Sequence, residues 1–167
     1  MESLAQILSE HLADARRVAV LGVGSPLHGD DAAGLLAAQR LQERLKTRPA
    51  AATVQVEVFL GESAPENLTG AIRRFAPTHL VILDAADLGK APGTIRIIDP
   101  QAPTANASMS THSLPLGVLA GYLERSVGCR SVIVGVQPAN GRYGAAVSEL
   151  VDQAATKLAQ ALLEAIA

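Results

Sequence analysis

Three short apolar runs constrain this chain more than any other feature: Arg17-Val18-Ala19-Val20-Leu21-Gly22, His79-Leu80-Val81-Ile82-Leu83-Asp84, and Ser131 to Val136. None alternates with polar residues, so each reads as a strand covered on both faces, the habit of a parallel sheet. The segments between them carry a helical period. Leu4, Ile7, Leu8 and Leu12 make one apolar helix face. Asp30 to Leu45 is rich in Leu and Ala and opens on acidic residues, which suit the positive end of a helix dipole. Thr53 to Leu60 places Val54, Val56, Val58 and Leu60 on one face of a period-two strand. Ser63 and Glu66 have capping-box spacing with Pro65 in the first turn, which predicts a helix running to Phe75 and ended by Pro77. Thr94 to Ile98 reads as a short strand after the Pro92-Gly93 turn, and helices are expected over Leu114 to Arg125 and Ala145 to Ala167. Strands alternating with helices in this way predict a three-layer α/β/α sandwich around a mostly parallel, twisted sheet of about five strands. The strand at Thr94–Ile98 is the one expected to run antiparallel.

With 167 residues, the chain is expected to be a single domain over 1–167 with one core. Fourteen basic against sixteen acidic residues give a net charge of −2 with no basic run, which argues against nucleic acid and anionic membranes as partners. Aromatic residues are only Phe59, Phe75, Tyr122 and Tyr143, too few for a stacking platform. Cys129 is the single cysteine, which excludes an intramolecular disulfide and any cysteine-cluster metal site; it reads as a small buried hydrophobe. The first residues lack the basic start and apolar run of a signal peptide, and no stretch reaches the roughly 18 apolar residues of a membrane span. The expected compartment is the cytoplasm, and the expected state a monomer.

In a parallel sheet, ligands collect beyond the carboxyl ends of the strands. Asp30-Asp31 after the first strand, Asp84 ending another, and His112 at the end of the polar loop Gln101–Ser113 are all expected there. The turn Gly22-Val23-Gly24-Ser25-Pro26-Leu27-His28-Gly29 imitates a dinucleotide fingerprint but has Leu27 in place of the third glycine. It also sets two carboxylates where a pyrophosphate would lie. Unit charges about 4 Å apart repel by about 4 kcal/mol at an effective dielectric near 20, so a nucleotide cofactor is not expected and a cation is.

Each residue also has an ordinary reading. Acidic residues at a helix start can simply cap it, a terminal aspartate can turn the chain, and a lone histidine is commonly just solvated. Taken together, Asp31, Asp84 and His112 make an O, O, N donor set suited to a divalent ion such as Ni, Zn, Fe or Mn. Asp30 is a weak candidate for a general base. His28 adjoins the acidic pair, and Gln137-Pro138 points at the same rim. No Gly-x-Ser-x-Gly elbow is present.

Several ordered segments resemble the nickel–iron hydrogenase maturation endopeptidases. They are Gly22-Val-Gly-Ser-Pro-Leu-His-Gly-Asp30-Asp31-Ala-Ala-Gly34, Gly61-Glu-Ser-Ala-Pro-Glu-Asn67, Ile82-Leu-Asp84-Ala-Ala-Asp-Leu-Gly89, Thr94-Ile-Arg-Ile-Ile-Asp-Pro100, Ser110-Thr-His112-Ser-Leu-Pro-Leu116 and Gly135-Val-Gln-Pro138. The branch most resembled is the one that matures hydrogenase 3. Ser25 stands where many members have Asn, and Ala32 where Gly is usual. The resemblance implies that Asp31, Asp84 and His112 are both the catalytic and the metal-binding residues. It implies further that they bind nickel supplied by the hydrogenase large-subunit precursor, whose C-terminal extension is removed after nickel insertion. The competing expectation is a non-enzymatic nickel-binding protein, a metallochaperone in hydrogenase assembly, that uses the same three residues.

Overall fold

The computed structural model describes residues 1–100 and 115–167. Helix α1, Leu4–His11, opens on a capping box in which Ser3 Oγ accepts the Gln6 N–H at 3.2 Å and Gln6 Oε1 accepts the Ser3 N–H at 2.7 Å. The remaining elements are β1 (Arg17–Val23), α2 (Ala33–Leu45), β2 (Gln55–Glu62), α3 (Thr69–Phe75), β3 (His79–Ala85), β4 (Ile95–Ile98), α4 (Leu116–Val127), β5 (Arg130–Val136) and α5 (Glu149–Ala165). Among the described residues, no helix is long and apolar enough to cross a membrane.

The strands form one sheet in the order β2-β1-β3-β5-β4. All pairings are parallel except that of β4 with β5, so the antiparallel strand falls at Ile95–Ile98, as the sequence predicts. Strand alternation sorts the apolar residues into two cores. Val18, Val20, Val81, Leu83, Val132 and Val134 face one side, where they pack with Leu8, Leu41, Val151, Leu158 and Leu162 of α1, α2 and α5. Ala19, Leu21, Leu80, Ile82 and Ile133 face the other, with Ile72 of α3 and Leu116, Leu119 and Leu123 of α4. The result is the expected three-layer sandwich. Cys129 is buried within the second core.

Two expectations need local correction. The helix expected from Asp30 begins instead as a 3-10 turn, Gly29–Ala32, and becomes α-helical at Ala33. The capping box at Ser63 does not form. β2 continues to Glu62, whose φ is +52°, and the chain then turns through an Ala64 N–H to Gly61 carbonyl bond. Pro65 starts a 3-10 turn there, with Ala64 rather than Ser63 at its cap. The later boundaries fit better: α3 stops at Phe75, and Ala76 adopts a left-handed conformation before Pro77.

The strand order fixes where a ligand can bind. From β1 the chain goes out to β2 through α2 on one face and returns to β3, on the other side of β1, through α3 on the opposite face. Strand order therefore reverses at β1, and the crevice beyond the carboxyl ends of β1 and β3 is the switch point of the sheet.

Candidate active site

Two of the three residues picked from the sequence, Asp31 and Asp84, lie at that switch point. Asp31 is on the 3-10 turn following β1, and Asp84 is the penultimate residue of β3. Both are buried, at 3% and 1% exposure. The two are brought onto adjoining parts of one rim by a close approach of backbone to backbone. The first turn of α2 rests directly on the end of β3, so that a Cβ on Gly34 would lie 2.6 Å from the Asp84 nitrogen and overlap the Leu83 carbonyl. Only glycine fits there. Gly24 is constrained similarly: its φ is +140°, and a Cβ would overlap the Asp31 carbonyl.

Hydrogen bonds set the orientation of each carboxylate. Asp31 Oδ2 accepts the Ser25 N–H at 2.8 Å, which ties its side chain back across the turn. Asp84 Oδ1 accepts the Ala85 N–H at 2.9 Å. By alternation Asp84 shares a face with Leu80 and Ile82, the face covered by α4. His28 stands beside this group, with Nδ1 2.8 Å from Ser25 Oγ and its ring edge-on to Tyr143 at 5.5 Å.

His112 lies outside the described residues. Its neighbour in the chain, α4, is described: Leu116, its first residue, is buried against the Asp84 face. The helix ends at Val127, and Gly128 and Cys129 lead at once into the start of β5. Its N-terminus therefore points toward the carboxyl ends of the strands, about 18 Å away for twelve residues of helix. Among the described residues, no group of three His, Cys, Asp or Glu is placed to hold a metal ion.

Asp30 has a different role from the one considered in the sequence. It is fully buried, and its carboxylate accepts four hydrogen bonds: from the N–H groups of Ala139 (2.8 Å), Asn140 (2.9 Å) and Ser148 (2.7 Å), and from Ser148 Oγ (2.8 Å). Burial alone would push its pKa up, but the donated bonds from Ser148, Asn140 and Ala139 outweigh burial and hold it below the usual carboxylate value. Asp30 is a clamp that fastens the loop between β5 and α5 to the site turn, with both carboxylate oxygens committed to those donors. Its partners lie more than a hundred residues away in sequence, so no local signal could reveal them. Gln137 is likewise committed to structure, because its Oε1 accepts the Leu88 N–H at 2.6 Å and its Nε2 donates to the Pro138 carbonyl.

A crevice at the switch point of a three-layer α/β sandwich, with two buried carboxylates on its rim, defines a class of small α/β protein with an acidic site beyond the strand ends. Comparison with known proteins narrows the class. A family model described as hydrogenase maturation protease (HycI) matches residues 36–165. The hydrogenase 3 maturation protease of Escherichia coli K12 is 41% identical over 119 residues, 71% of each chain. The crystal structure of a [NiFe] hydrogenase maturation protease HycI from Thermococcus kodakarensis superposes with a TM-score of 0.84 at 32% identity, covering 96% of this chain and 98% of that one. The hydrogenase maturating endopeptidase HybD of E. coli superposes with a TM-score of 0.63 at 30% identity, covering 88% of both chains. The chain belongs to the hydrogenase maturation protease family. It is thus an endopeptidase, and the reading as a non-enzymatic carrier is set aside.

Proposed function

We propose that this endopeptidase removes the C-terminal extension of a nickel–iron hydrogenase large-subunit precursor once nickel has been inserted, and that it recognises the bound nickel through Asp31, Asp84 and His112. The observation that carries this reading is the placement of Asp31, on the turn that follows β1, and Asp84, at the end of β3, both buried, at the carboxyl ends of the two strands that flank the switch point. Burying two carboxylates is costly unless a cation or hydrogen bonds compensate. His112 precedes Leu116, the first residue of α4, by four positions in the sequence. Carboxylate oxygen and imidazole nitrogen are suitable donors for nickel.

In this scheme the metal arrives with the substrate, held by precursor thiolates, and the protease supplies the donors that complete its recognition. Cleavage is thereby coupled to a finished metal centre. Gripping the ion orients the adjoining peptide, and a divalent ion can polarise a carbonyl or activate water. The enzyme acts as a one-domain monomer in the cytoplasm and needs no nucleotide.

The decisive experiment incubates the wild-type protein with nickel-loaded and with nickel-free precursor and follows the precursor's size on a gel. Shortening of the loaded form alone is expected. Equal cleavage of both forms overturns nickel recognition, and cleavage of neither overturns the substrate.

A further inference from the structure

We propose that Leu27 and Tyr143 form an apolar lip at the mouth of the site that grips the precursor polypeptide flanking the cleavage position. The inference rests on the proposed function above and assigns it a substrate-binding surface. With so few aromatic residues in the chain, the placement of each matters. Phe59 is buried and packs edge-on against Phe75, whereas Tyr143 is 75% exposed. Leu27 is 58% exposed. Single exposed hydrophobic residues are ordinary. These two stand on neighbouring loops that are bonded to each other and to the site.

The Gly144 N–H donates to the Leu27 carbonyl at 2.8 Å, which joins the two loops next to both side chains. His28 packs its ring edge against Tyr143 and bonds to Ser25, whose N–H in turn binds Asp31. The Asp30 clamp holds Ala139 and Asn140 before Tyr143 and Ser148 after it, so the segment that carries Tyr143 is fastened at both ends. The lip is therefore built on backbone that is already fixed, and covering it orders little besides the two side chains themselves. Leu and Tyr presented in this way can act as anchors that dominate an interface.

The occupant follows from the geometry. Asp31 and Asp84 are buried on the rim, and Leu27 lies only four residues before Asp31 on the same turn, so a polypeptide that brings an ion to the carboxylates passes beside the lip. The matching feature on the precursor is an apolar side chain close to the cleavage position. The lip contributes to binding and leaves the bond-breaking step alone.

The test uses Leu27→Ala, Tyr143→Ala and the double variant, together with Tyr143→Phe, after confirming that their melting temperatures match the wild type. Binding to nickel-free precursor, measured by biolayer interferometry, isolates the lip from any metal contact. Each alanine variant is expected to bind about tenfold more weakly, and Tyr143→Phe as tightly as the wild type. With nickel-loaded precursor, KM should rise about tenfold while kcat stays within about twofold of the wild type. Unchanged affinity in the double variant overturns the lip, as does no detectable binding by the wild type. A Tyr143→Phe variant as weak as Tyr143→Ala also overturns it, because the grip would then depend on the hydroxyl. If the wild type binds through the lip but never shortens loaded precursor, the lip stands and the processing reading falls.

Discussion

Ser148 holds both oxygens of Asp30, donating its N–H to Oδ1 at 2.7 Å and its hydroxyl to Oδ2 at 2.8 Å across 118 residues of sequence. The folded-state pKa of Asp30 is lowered: burial opposes ionisation, but the bonds from Ser148, Asn140 and Ala139 overcome it. The stabilisation is therefore fully present above the unfolded value of about 3.9 and is lost as pH falls through the lower folded value. Asp30→Asn should cost about 2–4 kcal/mol at pH 7, by loss of charge-assisted bonds in a buried setting. The deficit should shrink at pH 3, and urea denaturation at the two pH values measures the difference.

Gly34 offers a sharper steric test. A side chain there has to displace either α2 or the end of β3, because both neighbours are backbone. Gly34→Ala should destabilise by about 3 kcal/mol, the upper range of overpacking. Gly70, in α3, meets nothing closer than the Arg74 guanidinium at 3.4 Å. Gly70→Ala should be neutral or stabilising by about 0.5 kcal/mol. Thermal melts of the two variants in parallel check the contrast.

Loss of any one donor should disable processing without unfolding the protein. On the proposed scheme, Asp31→Asn, Asp84→Asn and His112→Ala are each expected to reduce cleavage of nickel-loaded precursor by at least about a hundredfold, the upper end of what loss of a mere outer partner of a metal ligand costs. Circular dichroism should remain that of the wild type. Normal processing by any of the three would remove that residue from the site.

His79, at the opposite end of β3, makes a separate pH prediction. Burial depresses its pKa; Asp14, with Oδ1 3.2 Å from Nε2, pulls it up, and Arg130 adds to the depression. A histidine whose folded pKa is lowered contributes stability above the unfolded value of about 6.5 and loses it as pH falls toward the folded value. The melting temperature should therefore drop between pH 7.5 and pH 5, and His79→Gln should flatten that slope. The window lies above that of Asp30, so the two effects separate on one titration.

The sequence makes the central strands legible because strands covered on both faces must be continuously apolar, as Leu80 to Leu83 and Val132 to Val134 are. The rim carboxylates Asp31 and Asp84 are legible for a related reason: a charged residue at the end of such a run stands out. What fails at Ser63 is local chemistry outweighed by the chain path, since β2 reaches Glu62 and leaves no room for the expected cap. Asp30 and Gln137 are read too loosely because their hydrogen-bond partners are fixed only by tertiary contact. Leu27 and Tyr143 give no periodic signal at all, because their significance lies in exposure at one place on the surface.

The sheet order also sets the sequence of events on heating. Strands β1 and β3 each have a hydrogen-bonded neighbour on both sides, whereas β2 and β4 are at the margins. Fraying begins at margins, where fewest contacts oppose it. The backbone beneath Asp31 and Asp84 should thus be among the last to exchange its amide protons, and the carboxylates should keep their spacing until the central strands themselves melt.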